Sequence, residues 1–297
     1  MDSKVTDQKR ILGVIGGSGV YAMDALEDVE RFTVITPWGA PSDRLVRGRL
    51  CGLEVVFLAR HGEGHVIAPS DVNYRANIDA MKRAGVTDLI SLSACGSFRE
   101  RLAPGTFVIV DQYIDRTTKR VSSFFGPGFV AHVSMAHPVC PALGAAAEEA
   151  CKALDIPHAS GGTYLAIDGP QFSSLAESNL YRSWGCDVIG MTNMPEAKLA
   201  REAELPYATV AMVTDYDCWH EKDGPVEVSH ILEIMKQNTA NGARLVEKLA
   251  ALLGPTRTPS PLGIETCLDY AVITSPERRD PAMCEKLSVV AGRFLKG

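Results

Sequence analysis

The sequence predicts an α/β protein in which a central sheet carries helices on both of its faces. Two observations carry this prediction. Short apolar runs alternate along the chain with longer amphipathic segments of helical period, and most of the apolar runs end at glycine or at polar residues. With 297 residues, of which 46% are hydrophobic, the chain is long enough to bury a large core.

The predicted strands are short and rich in Val, Ile and Leu, which is typical of strands buried on both faces. Glycine, proline or polar residues follow most of them, as expected where a chain turns. They span residues 11–15, 53–59, 88–92, 106–110, 162–167, 188–190 and 207–213.

The predicted helices show apolar positions every third or fourth residue. Asp71 is the expected cap of the first, and Val72, Ala76, Ala80 and Ala84 form its apolar stripe. The helices span residues 71–84, 141–154, 176–184, 195–203, 226–253 and 282–295. Residues 117–138 show no period and are predicted to form a long loop, a kind of segment that is often functional.

The pattern changes after Gly254, where Pro255, Pro259 and Pro261 indicate a linker. We therefore expect one domain over residues 1–254. Residues 255–297 are expected to be a helical extension that packs on the same domain or on a neighbouring subunit.

Charge and cysteine content restrict the function. The net charge is -6 and the pI about 5.7, which argues against a nucleic-acid or anionic-membrane surface. The 8 cysteines form no C-x-x-C pair, so a zinc ribbon is not indicated. Residues 1–10 are polar, unlike a signal peptide, and no apolar run approaches the length of about 20 residues that spans a membrane. Reduced thiols and a cytoplasmic location are expected.

Polar side chains follow five of the predicted strands. They are Ser18, Arg60 with His61, Ser93, Asp168, and the segment 215–217. In α/β sheets the ligand lies at the carboxyl ends of the strands, so these side chains are expected to share one site. The structural alternative is that strand ends carry polar residues in any case.

The first of these segments is a glycine turn. Residues 17–22 fit the relaxed dinucleotide fingerprint G-x-G-x-x-A, which predicts a nicotinamide-dependent oxidoreductase if a helix and a ribose-binding acid follow. The other interpretation is a small-anion cradle, built from backbone N–H groups and the Ser18 hydroxyl. Arg60, with a fork suited to bidentate phosphate contact, His61 as a further donor and the Ser93 hydroxyl favour the cradle. A surface Arg and an ordinary hydrogen-bonded His are the alternative.

A second constellation is the acidic pair Asp215 and Asp217. Burial at a strand end raises the pKa of a carboxyl group, and a protonated Asp can then donate to a ring nitrogen of a nucleobase. A solvated acidic turn is the alternative. Met191 is a candidate to pack under a sugar, although a core methionine is the simpler interpretation of this residue alone, and Phe172 with Ser173 could line a flat slot. No H-E-x-x-H or G-x-S-x-G motif is present, so neither a metal site nor a serine hydrolase is indicated.

Seven segments taken together resemble the trimeric purine nucleoside phosphorylase family, and within it the methylthioadenosine branch. They are IGGSG at 15–19, LARHG at 58–62, VNYRAN at 72–77, SACGS at 93–97, DQYIDRTT at 111–118, GPQFSS at 169–174 and TDYDCW at 214–219. The resemblance spans residues 12–253 and implies a single-domain mixed sheet flanked by helices, with an extra C-terminal helical segment.

The resemblance also implies a reaction and a set of site residues. The reaction is phosphorolysis of S-methyl-5′-thioadenosine, with phosphate as co-substrate, no cofactor, and a homotrimer with sites between subunits. Phosphate would be bound by Ser18, Arg60, His61, Ser93, Ala94 and Thr192. The nucleoside would be bound by Met191, Phe172, Ser173, Asp215, Tyr216, Asp217, Val228, Ile231 and Leu232, and by His132 from a neighbour. Asp215 and Asp217 would be the catalytic residues.

The chemistry of the residues agrees with this implication. A carboxyl pair suits the 6-amino group of adenine better than a 6-oxo purine, and an apolar slot suits a thioether better than a hydroxyl. The sequence departs from the family at Asp168, where Glu is usual, and at Gln171, where Arg is usual. A broader purine nucleoside phosphorylase acting on adenosine, a silent nucleoside-binding protein and the oxidoreductase remain as alternatives.

Overall fold

The computed structural model describes residues 9–17, 19, 23–220 and 228–296, with the backbone alone at 228–231. Eleven strands form one sheet. They are β1 (Ile11–Gly16), β2 (Glu27–Phe32), β3 (Leu45–Leu50), β4 (Leu53–Ala59), β5 (Asp88–Ser97), β6 (Phe107–Val110), β7 (Gln112–Asp115), β8 (His158–Ser160), β9 (Thr163–Ala166), β10 (Val188–Gly190) and β11 (Tyr207–Asp215).

The sheet is mixed, with a parallel centre. Strand β1 pairs in parallel with β4 and β5, and β5 pairs in parallel with β11. Antiparallel strands flank this centre, since β3 pairs with β4, β10 with β5, and β6 with β11. The carboxyl ends of β1, β4, β5 and β11 therefore meet at one edge of the sheet, and the predicted residues Arg60, His61 and Asp215 lie there.

Helices cover both faces of the sheet, as the sequence predicts. They are α1 (Tyr74–Arg83), α2 (Pro141–Ala153), α3 (Leu175–Ser183), α4 (Asn193–Glu202), α5 (Val228–Leu253), α6 (Pro281–Lys286) and α7 (Gly292–Lys296). Helices α1 and α4 bury Met81 and Leu199 in one core layer. Helices α2 and α5 bury Leu143 and Leu249 in the other. None of the helices in the described ranges is long and apolar enough to cross a membrane.

Several predicted boundaries are wrong. Helix α1 begins after Asn73, whose side chain accepts a hydrogen bond from the Ala76 N–H, so Asp71 is not its cap. The predicted helix 282–295 is two short helices, because residues 287–291 turn to bury Leu287 and Val290. Strands β5 and β11 run further than predicted, so that Ser93 and Asp215 lie within strands rather than after them.

Strands β2, β3, β7 and β8 were not predicted from the sequence. Strand β2 is charged and almost wholly exposed. The apolar sequence of β3 is interrupted by Arg47, Gly48 and Arg49, although the strand itself is continuous. Strands β7 and β8 have 4 and 3 residues, too few to show a period.

The residues after Gly254 pack on the same chain. Leu268, Leu287 and Val290 belong to the buried cluster that includes Leu199 of α4. The buried Arg257 also forms an ion pair with Asp88 at the start of β5, at 3.3 Å. This segment thus shares the core of the first 254 residues.

Candidate active site

A cavity of about 280 Å³ lies at the carboxyl edge of the central strands. Most of the predicted site residues line it together. They are Arg60, His61, Ser93, Ala94, Phe172, Ser173, Met191, Thr192, Asp215 and Asp217. The cavity has hydroxyl groups near β5 and the start of α4, and two carboxyl groups at and just after the end of β11.

Other predicted residues are not brought to this cavity. The Tyr216 ring stacks on His220, with 4.4 Å between centroids, and its hydroxyl donates to the carbonyl oxygen of Glu100. Leu232 is 58% exposed, and neither it nor Tyr216 is a lining residue. His132 is exposed and donates its backbone N–H to Ala271. Ser18 and the side chains of Val228 and Ile231 lie outside the described residues.

Arg60 is buried, and most of its donors are occupied by the protein. Its Nε and Nη2 contact the two carboxylate oxygens of Glu196 at 2.8 and 3.1 Å. Nη2 also donates to the Ser91 hydroxyl at 2.6 Å, and Nη1 donates to the Leu92 carbonyl oxygen at 3.1 Å. The expected bidentate contact of Arg60 with an anion is not available through Nε and Nη2, because both atoms bind Glu196. One N–H of Nη1 is left for a ligand.

Glu196 lies behind Arg60 rather than on the cavity wall, and the sequence analysis does not identify it. It is 0% exposed, and its Oε1 also accepts hydrogen bonds from the hydroxyl groups of Ser91 and Tyr207, at 2.7 and 2.9 Å. A carboxylate fully buried with an arginine is stable only when its oxygens are hydrogen-bonded, as they are here. Its sequence signal was weak, since Glu196 appears there as an ordinary charged residue near the start of a helix.

Hydroxyl groups line the candidate anion end of the cavity, at Ser93 and Thr192. Ser93 Oγ lies 2.9 Å from Thr192 Oγ1 and 3.2 Å from the hydroxyl oxygen of Tyr164. Tyr164 can reach this position because Gly190 has no side chain, since a Cβ there would lie 1.8 Å from the Tyr164 hydroxyl. Three hydroxyl groups thus lie together where β5, β9 and the start of α4 meet.

His61 is oriented by the backbone. Its Nδ1 lies 2.8 Å from the carbonyl oxygen of Ile67, and its ring stacks on His65, another lining residue, with 4.2 Å between centroids. Burial, and then the charge of Arg60, lower the pKa of His61 to about 4. The ring is therefore neutral near pH 7, and its one N–H is directed at Ile67.

The carboxyl pair forms the other end. Asp215 Oδ2 lies 2.7 Å from the Thr214 hydroxyl, and Oδ1 accepts the Asp217 N–H at 2.8 Å. Burial raises the pKa of both Asp215 and Asp217, so the prediction that burial favours a protonated carboxyl here is supported. Asp217 Oδ2 is buried without a hydrogen-bond partner among the described residues. A ligand with a donor group would satisfy it.

The wall beside the carboxyl pair combines an aromatic ring with a free hydroxyl. Phe172 is 49% exposed at the cavity, and the buried Ser173 Oγ has no partner among the residues that the structure describes. The preceding loop is held by Asp168, which accepts the N–H and hydroxyl of Thr118 and lies 3.8 Å from Arg120. Gln171 is exposed. Asp168 therefore shapes the loop and does not line the cavity.

Two chemistries find no support in the described part of the chain. No group of three or more His, Cys, Asp or Glu side chains is placed to hold a metal ion there. Beyond the glycine turn, the next described element is the exposed strand β2 and not the helix that a dinucleotide fingerprint opens. The anion cradle is the better interpretation of this turn, because Gly17 lines the cavity beside the hydroxyl groups.

The fold and the cavity define the class of protein, and the chain belongs to the phosphorylase superfamily, whose family model matches residues 11–251. It is similar over nearly its whole length to enzymes named S-methyl-5′-thioadenosine phosphorylase. The one from Rhodospirillum rubrum is 61% identical over 285 residues, covering 96% of this chain and 97% of the relative. The one from Cereibacter sphaeroides is 59% identical, covering 97% of this chain and 100% of the relative.

Solved structures agree with these relatives. A methylthioadenosine phosphorylase from an antarctic soil metagenomic library superposes with a TM-score of 0.87 at 44% identity, covering 94% of this chain and 98% of its own. The Schistosoma mansoni methylthioadenosine phosphorylase in complex with adenine superposes with a TM-score of 0.79 at 36% identity, covering 83% of this chain and 92% of its own. The predicted fold class and the family resemblance are confirmed.

Proposed function

We propose that this chain catalyses the phosphorolysis of S-methyl-5′-thioadenosine to adenine and 5-methylthioribose 1-phosphate, a pentosyl transfer to phosphate. One observation carries the proposal: a cluster of hydroxyl groups and a buried carboxyl pair line the same cavity. The first can hold phosphate and the second a purine base. The names of the relatives support the same substrate.

At the anion end, Ser93, Thr192 and the remaining Arg60 N–H are the groups proposed to bind phosphate, with His61, Ala94 and Ser18. Cleavage of an N-glycosidic bond gives the sugar oxocarbenium character, as in glycoside hydrolysis. A phosphate anion held beside C1′ stabilises that charge and then forms the C1′–O bond. The protein orients the anion with groups that are already fixed in the fold.

At the base end, Asp215 is the proposed general acid. The leaving adenine carries negative charge unless its N7 is protonated or hydrogen-bonded, and a protonated Asp215 supplies that proton. Its raised pKa favours the protonated form, and the Thr214 hydroxyl orients it. The unpartnered Oδ2 of Asp217 is a suitable acceptor for the 6-amino group of adenine. Tyr216, which lies between them, is proposed only to hold the turn.

The 5′ end of the substrate is proposed to lie against α5. This helix presents Met235 and Thr239 to the cavity, next to Met212 and Leu92 from the sheet. These mostly apolar groups suit a methylthio substituent. The roles of Val228, Ile231 and Leu232 near this substituent remain predictions.

Adenosine is the second candidate substrate. The related Schistosoma mansoni protein is described as an adenosine/methylthioadenosine phosphorylase. Thr239 gives this cavity one hydroxyl on the α5 side, which a 5′-hydroxyl group can use.

We further propose a cytoplasmic homotrimer that needs neither a metal nor an organic cofactor, with inorganic phosphate as its co-substrate. His132 is exposed on the segment that pairs with residues 271–273, away from the cavity of its own chain. It is thus available to complete the site of a neighbour.

Base release measured by chromatography tests the proposal. Methylthioadenosine, adenosine and inosine are each incubated with and without phosphate. Adenine from methylthioadenosine only in the presence of phosphate is the expected result. Adenine released equally without phosphate would instead indicate a hydrolase. The absence of base release from any of the three substrates would indicate a silent binding protein.

A further inference from the structure

The orientation of His61 determines which of its ring nitrogens can serve a ligand. Nδ1 lies 2.8 Å from the Ile67 carbonyl oxygen, and a carbonyl oxygen can only accept a hydrogen bond. Nδ1 therefore carries the ring proton. Nε2 makes no hydrogen bond among the described residues and is not one of the buried unpartnered atoms, so it is accessible at the cavity that His61 lines.

A second proton on this ring is disfavoured by its surroundings. His61 is only 9% exposed, follows the buried cation Arg60 and stacks on His65. The negative charge of Glu196, which favours a protonated ring, is already paired with Arg60. With Nδ1 protonated and the ring neutral, Nε2 holds a lone pair and is an acceptor.

An acceptor at this position distinguishes between tetrahedral anions. Inorganic phosphate near neutral pH carries at least one P–O–H group, whereas sulfate is fully deprotonated. A lone pair directed at sulfate meets another lone pair, which is repulsive, and a lone pair directed at phosphate can accept a hydrogen bond. Arg60 does not offset this difference by charge alone, since Glu196 neutralises it.

We propose that His61 Nε2 accepts a hydrogen bond from the protonated oxygen of bound phosphate, and that His61 thereby selects phosphate over sulfate. This inference rests on the proposed function, in which phosphate is the co-substrate. It also corrects the expectation that His61 is a donor to the anion. The proton of the phosphate P–O–H group stays on phosphate throughout the reaction. An unprotonated phosphate oxygen forms the bond to C1′ while the bond from C1′ to the base breaks.

The tautomer is tested first, on the wild-type protein labelled with ¹⁵N-histidine. Signals are assigned with the variants His61→Gln and His158→Gln. His158 is a matched control outside the cavity, because its Nδ1 also lies 2.8 Å from a carbonyl oxygen, that of Ile156. Saturation with phosphate between about pH 6 and pH 8 should leave His61 Nε2 unprotonated. A doubly protonated His61 in the phosphate complex would overturn the proposal.

Selectivity is tested by calorimetric titration with phosphate and with sulfate. The wild-type protein should bind sulfate at least about tenfold more weakly than phosphate. His61→Lys presents only donors, so this preference should shrink at least about tenfold in it and stay unchanged in His158→Gln. Equal affinity for both anions in the wild-type protein, or an unchanged preference in a folded His61→Lys, would contradict the proposal.

The same samples separate this inference from the proposed function. Suppose that methylthioadenosine is cleaved only when phosphate is present, but the protein binds sulfate with the same affinity as phosphate. The proposed role of His61 is then wrong, and the proposed function stands. If neither anion binds and no phosphate-dependent cleavage occurs, both are overturned.

Discussion

Arg60 and Glu196 face each other in two parallel hydrogen bonds, with Nε and Nη2 of the arginine 2.8 and 3.1 Å from the two carboxylate oxygens. Both side chains are almost completely buried, at 2% and 1% exposure. The pair orients the arginine and cancels its charge, so the anion end of the cavity depends on directed hydrogen bonds rather than on an excess of positive charge. Glu196 thus positions Arg60, and through it the phosphate that Arg60 is proposed to bind.

Substitution of Glu196 by Gln tests this role. An amide places an N–H group against the guanidinium donors, so Arg60 is expected to turn away from its present position. The KM for phosphate should rise about tenfold or more, which corresponds to about 1.4 kcal/mol, while the KM for the nucleoside changes little. Glu204→Gln is a matched control, because Glu204 is a buried carboxylate paired with Arg293 outside the cavity. An unchanged KM for phosphate would show that the ion pair only stabilises the fold.

Substitution of Asp215 by Asn removes the proposed general acid with little change of shape. The kcat with methylthioadenosine should fall about 10²- to 10⁴-fold, the range that general acid catalysis supplies. Relative use of 6-oxo purine nucleosides should increase. Steady-state kinetics with both substrate types measure this, with Asp187→Asn as the control, since Asp187 pairs with Arg99 away from the cavity. Full activity on adenine nucleosides would exclude the acid role of Asp215.

Mixing two defective subunits tests whether the site is shared between chains. Asp215→Asn is expected to disable the site of its own subunit. His132→Ala is expected to weaken the site of the neighbouring subunit. Co-expressed in equal amounts, the two variants should recover about a quarter of the wild-type activity, because that fraction of sites then has both native residues. Light scattering gives the number of subunits. No recovery, or a fully active His132→Ala variant, would contradict a shared site.

Glu202 predicts a dependence of stability on pH. Burial raises its pKa from 4.5 to about 7, although its oxygens accept hydrogen bonds from the Ser123 hydroxyl and the Phe124 N–H. The folded protein therefore holds this proton more tightly than the unfolded chain. The stability that it contributes is fully present below about pH 4.5 and is lost as the pH rises to about 7, by on the order of 3 kcal/mol.

Urea unfolding at about pH 5 and pH 8 measures this contribution. Glu202→Gln keeps an oxygen for the Phe124 N–H and resembles the protonated acid. The free energy of unfolding of Glu202→Gln should equal that of the wild-type protein near the lower pH and exceed it at the higher pH. The same loss of stability in both proteins would assign the dependence to other groups.

Much of the site was predictable because it lies where apolar strands end. The segments around Arg60, Ser93 and Asp215 each follow or end a run of Val, Ile and Leu, and parallel strands bring such ends to one edge. The prediction failed where residues act through a partner distant in sequence. Glu196 lies 136 positions from Arg60, and nothing in its own segment shows that it pairs with this arginine.

The strands that the sequence does not predict escape detection for another physical reason. Strand β2 has an exposed, charged sequence because it pairs on one side only, with β3, at the edge of the sheet. A strand of this kind has no apolar face to produce a period. The small residues 93–97 predict the end of β5 after Leu92, yet they continue the strand, because pairing with β10 and β11 holds the backbone extended there.

The proposed phosphorolysis is tested most directly by following inorganic phosphate with ³¹P NMR while the protein acts on methylthioadenosine. Phosphate should be consumed and a phosphomonoester formed, mole for mole with the adenine released. Adenine that appears while the phosphate signal stays constant would contradict the proposed phosphorolysis.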